Sequence, residues 1–599
     1  MPSRLFKIRE KINLRIFSSK SWVLNLFEFL SFITVLFVMG IAVYYYGFPR
    51  TEASMKLNEQ AMEYSLAFFV LRFFVLLFFD FHPLTLLKQK WFEGSVLLFF
   101  LLYQIFPSVF NWPFVHYSIG ELVQGKSMLL LQLYFITIIF IALSRSTSKI
   151  ALLPLKPAGL LILSFVILIL TGTGLLMLPE MTVGHHLSFL NSLFTSTSAS
   201  CVTGLIVVDT ATFFTLKGKL IIMLLIQLGG INIISFATFF VTFSKSAGGI
   251  KYQSLLKDVL SSDRLSDTSN ILQSIIKFSL ISEAIGTVAL YFSWGDVHFE
   301  DWGTRLFHSA FQAVSAFNNA GFSTFSNNLF ENGVRQLYGL QMVIAFLIFF
   351  GGFGFIAMQD AFSFSSIKTR IKLHWKRKNV STKIMLNMSL MLIFVGAVVF
   401  YLLERNHALA GENWYQVAIT SIFQSVTTRT AGFNTVDFSK LGTPVLVFFM
   451  FLMFIGAGPG STGGGIKVTT FAVLVKSAIA TIKGEKNVVF FKRTVPFSTI
   501  DRAYSIALFS LSMIFLSVFL LSITEPGISF IKLLFEEVSA FGTVGLSTGI
   551  TSSLSAAGKL IIIASMFVGR IGTLTLAIAL SSRAFYTNYR YAETSVMVG

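Results

Sequence analysis

The chain has 599 residues, 54% of them hydrophobic and only 12% charged, with a mean hydropathy of +0.75. A water-soluble globule carries roughly twice that charged fraction, so the composition excludes one and points to a polytopic membrane protein. The net charge of +18 would suggest nucleic acid in a soluble protein, but the bases fall on alternate loops between apolar stretches, so no nucleic-acid partner is expected.

Crossing a bilayer core takes about 20 apolar residues per helix. Twelve stretches qualify: Trp22 to Phe48, Tyr64 to His82, Trp91 to Phe110, Met128 to Arg145, Ala158 to Leu178, Leu220 to Phe243, Ile271 to Trp294, Leu337 to Phe364, Ile384 to Leu403, Val445 to Val475, Tyr504 to Ile523 and Leu560 to Leu580. The first is too long for a signal-peptide core and lacks a small-residue cleavage site, so it reads as a retained helix. Basic residues precede the first span (Arg4, Lys7, Arg9, Lys11, Arg15, Lys20) and follow the second (Lys88, Lys90), the fourth (Lys149, Lys156), the eighth (Lys368 to Lys383) and the tenth (Lys483, Lys486, Lys492, Arg493). The positive-inside rule then places both termini in the cytoplasm. Arg72, Asp80, Lys88 and Lys90 lead into the third span, yet the fourth holds only Arg145 at its end. That is too little charge for voltage sensing, and the first four spans read as an accessory extension. A single cysteine, Cys201, excludes an intramolecular disulfide and a multi-cysteine metal site.

Beyond the extension a motif recurs every 110 to 120 residues or so: a Phe, a Ser or Thr four positions later, and a Gly closing a short polar stretch. The copies run from Phe194 through Ser198 to Gly204, Phe311 through Ser315 to Gly321, Phe423 through Thr427 to Gly432, and Phe535 through Ser539 to Gly545, the third being one residue shorter. Each lies between two spans on the external side and is too short and polar to cross the bilayer. A short helix that dips in and an extended strand that climbs out fit this pattern. Irregular backbone at membrane depth requires burial in protein or a water-filled path. The expected fold is an all-α polytopic membrane protein with four pseudo-symmetric helix, re-entrant pore loop, helix repeats around one pore, plus four extra N-terminal transmembrane helices. The expected boundaries are 1–150 for the extension and 151–250, 251–370, 371–485 and 486–599 for the repeats, the third of which carries a gate loop.

A glycine frees the backbone to turn carbonyl oxygens inward, and rings of carbonyls replace the water of a dehydrating cation. Short helices with their C-terminal ends toward the cavity add negative potential. In the tenth span Gly456-Ala-Gly-Pro-Gly-Ser-Thr-Gly-Gly-Gly-Ile-Lys467 interrupts an apolar run and must break the helix. Its formal GxGxxG lacks a flanking strand and an acidic ribose partner, and Lys467 does not follow a glycine as a Walker motif demands. A break below a filter is a gate candidate. Arg570 lies about ten residues into the last span, where a guanidinium is costly without water or acceptors. Arg429 is expected to brace the filter by hydrogen bonds, with Glu536 and Glu537 as open alternatives for its partner. Glu180, Asp209, Asp296, Glu300, Asp301, Glu331, Glu404, Glu412, Asp437 and Glu525 would form an external acidic rim that concentrates cations.

Ser315-Ala-Phe-Asn-Asn-Ala-Gly-Phe322 and Gln424-Ser-Val-Thr-Thr-Arg-Thr-Ala-Gly-Phe-Asn-Thr435 carry a family likeness. The chain resembles the Trk/Ktr/HKT superfamily of potassium transporters, particularly bacterial membrane subunits of the TrkH and KtrB type, over roughly residues 150 to 585. The resemblance implies a K⁺ filter at Val202, Thr203, Gly204, Asn319, Ala320, Gly321, Thr430, Ala431, Gly432, Thr543, Val544 and Gly545. In plant relatives a Ser at the first filter glycine goes with Na⁺ transport, so Gly204 favours K⁺. A gate is implied at Gly456, Gly458, Pro459, Gly460, Gly463, Gly464 and Gly465, with Arg570 beside it as barrier or latch. Also implied are a homodimer with one pore per protomer, separate cytoplasmic nucleotide-binding regulatory subunits (TrkA/KtrA-like), membrane lipid around the chain, and a bacterial cytoplasmic (inner) membrane location. No cofactor is expected, K⁺ being the transported ion. The expected function is K⁺ uptake through a selective gated pore driven by the membrane potential. The alternative is a Na⁺-permeable or H⁺-coupled transporter of the same architecture; Glu283 is the one acid well inside a repeat span. No HExxH, DDxxD-like or GxSxG cluster supports an enzyme.

Overall fold

A computed structural model describes residues 4–79, a few positions between 88 and 97, 157–184, 186–247, 268–373 and 377–580. The expected spans Trp91 to Phe110 and Met128 to Arg145 lie largely or wholly outside these residues. The chain divides into two compact units, one of residues 1–154 with 178–180 and one of 155–177 with 181–599. In the first, helices α1 (Arg4–Gly47) and α2 (Glu52–Phe79) pack through Val35, Val38, Leu66, Phe69 and Phe73.

The second unit carries the repeats. The first comprises α3 (Pro157–Leu176), α4 (Phe189–Ser200) and α5 (Leu216–Ala247). The second comprises α6 (Thr268–Ser293), α7 (Trp302–Phe317), α8 (Tyr338–Phe353) and α9 (Phe355–Phe362), followed by the basic α10 (Phe364–Lys372). The third comprises α11 (Val380–Glu404), α12 (Trp414–Thr427), α13 (Thr443–Phe454) and α14 (Val468–Ile482). The fourth comprises α15 (Phe497–Thr524), α16 (Phe530–Gly542), α17 (Ala556–Ile571) and α18 (Thr573–Leu580).

Short helices α4, α7, α12 and α16 lie between the longer ones, and the first three begin at a side-chain cap. Ser188 Oγ accepts from Asn191 N at 3.4 Å, Asp301 from Thr304 N at 2.6 Å, and Asn413 with Gln416 forms a capping box. Each packs against the first helix of its own repeat, α3, α6, α11 or α15. The following helix packs against the next repeat's short helix: α5 on α7, α8 on α12, α13 on α16, and α17 back on α4. That last contact closes a ring. Close approach depends on small residues. A Cβ on Gly229, Gly351 or Gly569 would overlap the carbonyl oxygen of Ser200, Phe317 or Phe541, at the C-terminal ends of α4, α7 and α16.

Among the described residues six helices are long and apolar enough to span a membrane, and the α8 and α9 pair is bent by 106°. The continuous helix expected from Leu337 to Phe364 is therefore broken at Gly354, φ +94°, and the one from Leu560 to Leu580 at Gly572, φ +91°. A two-stranded hairpin, Val489–Phe490 with Arg493–Thr494, adds a small antiparallel element to the otherwise helical fold; Phe491 and Lys492 at its tip have positive φ. Part of the expected acidic rim is structural. Glu404 and Glu525 are buried, and accept from Gly442 N at 3.2 Å and Ser555 N at 2.9 Å where α13 and α17 begin. Hydrogen bonds from Thr304 to the exposed Asp301 and from Ser439 to the half-buried Asp437 hold both carboxyls below the usual carboxylate range.

Gly569→Ala is expected to force a methyl into the Phe541 carbonyl and cost about 1–3 kcal/mol. A lowered thermal unfolding midpoint of the solubilised protein checks it, and an unchanged midpoint would show that the approach relaxes freely.

Candidate ion filter and gate

The filter begins where the four short helices stop. Phe194, Phe311, Phe423 and Phe535 are fully buried and anchor them. In three repeats the chain leaves the helix through a non-glycine residue in the left-handed region, Val202 (φ 57°), Asn319 (φ 59°) or Thr543 (φ 50°). The next amide returns to the carbonyl of the motif Ser: Thr203 to Ser198 at 2.8 Å, Ala320 to Ser315 at 2.8 Å and Val544 to Ser539 at 2.9 Å. The side chain at the motif Ser or Thr then restrains the outgoing strand. Ser198 and Ser539 accept from Gly204 N and Gly545 N, each at 3.1 Å, while Ser315 and Thr427 donate to the carbonyls of Phe322 and Phe433, each at 2.7 Å. This explains the fixed four-residue spacing from Phe to Ser or Thr. The third repeat, one residue shorter, needs no left-handed residue. Its Ala431 N bonds Thr427 O directly at 2.9 Å.

The four glycines meet in a cycle. Their φ angles are +90°, +70°, +75° and +91° in chain order. A Cβ on Gly204 would lie 3.1 Å from Gly321 Cα, one on Gly321 3.1 Å from Gly432 Cα, one on Gly432 3.1 Å from Gly545 Cα, and one on Gly545 2.9 Å from Gly204 Cα. The carbonyls of Ala320, Ala431, Val544 and Thr203 face the same junctions. Eight of the twelve expected filter residues, the four glycines and the residue before each, thus meet in one ring. Asn319 also pairs with Thr430 Oγ1 at 3.0 Å, joining the second repeat to the third.

The glycine run lies against this ring. After α13, Gly456 N bonds Ile466 O at 2.9 Å, so the loop leaves and returns at one place. Gly458 N bonds Gly352 O at 2.9 Å, Thr462 N bonds Gly351 O at 3.3 Å, and Phe355 N bonds Gly460 O at 3.0 Å. Pro459 packs against Gly354. The bend between α8 and α9 is therefore the loop's docking point. Gly464 N donates to Thr543 Oγ1 at 3.0 Å, directly below the filter of the fourth repeat, and a Cβ on Gly463 would crowd Thr430. Gly460 and Gly465 turn the loop at φ +67° and +66°.

Arg570, 2% exposed, bonds Thr462 O from one guanidinium nitrogen and Gly229 O at 2.6 Å from the other. It ties the loop of the third repeat to α5 of the first. Lys467, set aside as a phosphate ligand in the sequence, is its companion: Nζ donates to Gly463 O at 2.7 Å. Two cations thus hold consecutive loop carbonyls. The residue type and its place at the end of the glycine run were the available signals.

Two further expectations need correction or detail. Arg429 reaches neither Glu536 nor Glu537; it donates to Ser389 O at 3.3 Å and Ser389 Oγ at 3.2 Å on α11, bracing the helix behind the filter. Glu283 accepts from Ser279 Oγ at 3.0 Å, Gln227 Nε2 at 3.1 Å and Asn318 Nδ2 at 3.1 Å. It thereby fixes the C-terminal end of α7 to the first repeat. Cys201 is free and fully buried.

Residues 126–587 match the family model described as TrkH, Cation transport protein. The chain is 39% identical over 450 residues to the Ktr system potassium uptake protein B of Vibrio alginolyticus, across 74% of this chain and 94% of that protein. It is 40% identical over 445 residues to the protein of the same name from Bacillus subtilis, across 74% and 97%. It is 36% identical over 454 residues to the potassium/sodium uptake protein NtpJ of Enterococcus hirae, across 74% and 98%. The crystal structure of the potassium transporter TrkH from Vibrio parahaemolyticus shares the fold, with a TM-score of 0.59 at 19% identity, covering 75% of this chain and 91% of that one.

Thr543→Ala removes the hydroxyl that receives Gly464 N without adding backbone strain. Hydrogen exchange of the 456–466 amides is expected to quicken about fivefold, the equivalent of about 1 kcal/mol; unchanged exchange would mean that this bond does not hold the loop.

Proposed function

The chain belongs to the TrkH family of cation transport proteins, and on that premise we propose that its glycine ring is the filter of a K⁺ uptake pore. It is a multi-pass membrane transporter and not an enzyme. The observation that carries the mechanism is the closed cycle of Gly204, Gly321, Gly432 and Gly545. A K⁺ ion entering it exchanges water for the carbonyl oxygens of the filter residues. The C-terminal ends of α4, α7, α12 and α16 add negative potential beneath. The inside-negative membrane potential drives the ion inward.

The 456–467 loop is the gate, and its two cations have a double role. Arg570 and Lys467 pin loop carbonyls, and their charges oppose a K⁺ descending from the filter. Opening requires the loop to leave Gly351, Gly352, Thr543 and Arg570 together. A cytoplasmic nucleotide-binding subunit would drive that change by docking on the basic face that includes Arg370 and Lys372 of α10. The relatives named as Ktr system proteins support such a multi-component assembly. A homodimer in the bacterial cytoplasmic membrane, both termini inside, completes the proposal.

In proteoliposomes under opposing K⁺ and Na⁺ gradients the reversal potential is expected to follow K⁺; an equal response to Na⁺ would overturn the ion assignment. Deleting residues 458–464, or Arg570→Ala, is expected to raise K⁺ flux roughly tenfold or more, because a charge-assisted hydrogen bond of about 1.5–3 kcal/mol is lost. Unchanged flux in folded protein would remove the loop from gating.

A further inference from the structure

Each of three repeats ties its pore helix to the strand that leaves the filter, and does so from one position. The residue after the anchoring phenylalanine is Gln312 in the second repeat and Gln424 in the third. Their Nε2 atoms donate to Ser323 Oγ at 2.7 Å and to Thr435 Oγ1 at 2.8 Å. The fourth repeat keeps the tie and changes its chemistry. Glu536 accepts from Ser547 Oγ at 2.8 Å with one oxygen and from the Thr551 hydroxyl with the other. In the first repeat Thr195 turns back on its own helix instead, donating to Asn191 O at 2.9 Å. One quadrant of four therefore carries a carboxyl directly behind the filter.

That carboxyl is fully buried, and the hydrogen-bond partners just named are hydroxyls, not cations. In the glutamine repeats the side-chain oxygen is left without a partner; at Glu536 both oxygens are engaged, so the site is built around an acceptor of charge. Ser547, which it holds, stands two residues beyond Gly545. The adjacent Glu537, also buried, faces Ser517 and Ser565 of the flanking helices and does not share these partners. A buried carboxylate needs a counter-charge, and a monovalent cation at the outer end of the filter is placed to supply one.

We infer that Glu536 sets the electrostatic attraction of the filter for the entering cation, making the fourth quadrant the dominant source of negative potential at the outer end. The inference rests on the K⁺ uptake reading above. Its consequence is for capture of the ion and not for the shape of the ring, because glutamine makes the same tie in the second and third repeats.

The test is E536Q in proteoliposomes, with K⁺ uptake measured against external K⁺ concentration. The apparent KM for K⁺ is expected to rise roughly three- to tenfold, with flux converging on that of the unaltered protein at saturating K⁺. An unshifted KM, or an equal loss at every concentration as a merely structural role would give, overturns the inference. Q424E leaves the fourth repeat intact and carries the opposite expectation, a lowered KM; a KM equal to or above that of the unaltered protein also overturns it. Loop-deleted protein that keeps Glu536 and takes up no K⁺ would sink the transport reading itself, whereas uptake with an unshifted KM sinks only the role of Glu536.

Discussion

Backbone that is neither helix nor closed barrel has no water to bond with at membrane depth, and each orphaned group costs several kcal/mol. The second unit of this protein places non-helical backbone there five times, in the four filter strands and the 456–467 loop, and its organisation depends on how each is satisfied. The filter strands are satisfied from within: a serine or threonine on the preceding helix receives the next amides and restrains the strand through its hydroxyl. The loop is satisfied from outside, by backbone of the second repeat and side chains of the fourth.

These two solutions differ in stability. Filter bonds are local, short in sequence separation and enclosed by fully buried phenylalanines, so each strand is fixed within its own repeat. Loop bonds to the second and fourth repeats join segments far apart in the chain, as in Gly464 with Thr543 and Arg570 with Thr462, and the side chains of Arg570 and Lys467 add two more holds on loop carbonyls. In the proposed pore, the filter strands are the locally fixed part and the loop is the part held by distant partners.

Much of this was legible in the sequence because covalent spacing dictates it. The Phe, Ser or Thr, and Gly positions mark a helix end and a capped strand, and four copies imply a ring. The glycine run and Arg570 are conspicuous in apolar spans. The features that escaped reading depend on contacts between repeats. Leu337 to Phe364 reads as one apolar helix, and only the docked loop explains the turn at Gly354. Arg429 has two glutamates available by charge, yet Ser389 is the group within its reach. Lys467 follows an isoleucine and so fails a phosphate motif, which says nothing of a lysine folding back on Gly463 O. Glu404 and Glu525 look like solvated loop acids until the helices they cap are in place.

The single copy of the intramembrane loop has a consequence for how such a pore could arise. In a homomeric channel every insertion appears once per subunit, and four loops of twelve residues could not share the space under one filter. Joining the quadrants in one polypeptide removes that stoichiometric constraint. One segment can then elongate into a loop while its counterparts are the unbroken α5 and helices turned at the single residues Gly354 and Gly572, and a guanidinium on a different quadrant helps to hold it. The third motif copy, one residue shorter than the rest, lies in the same quadrant as the loop, so that quadrant departs from the other three at two places.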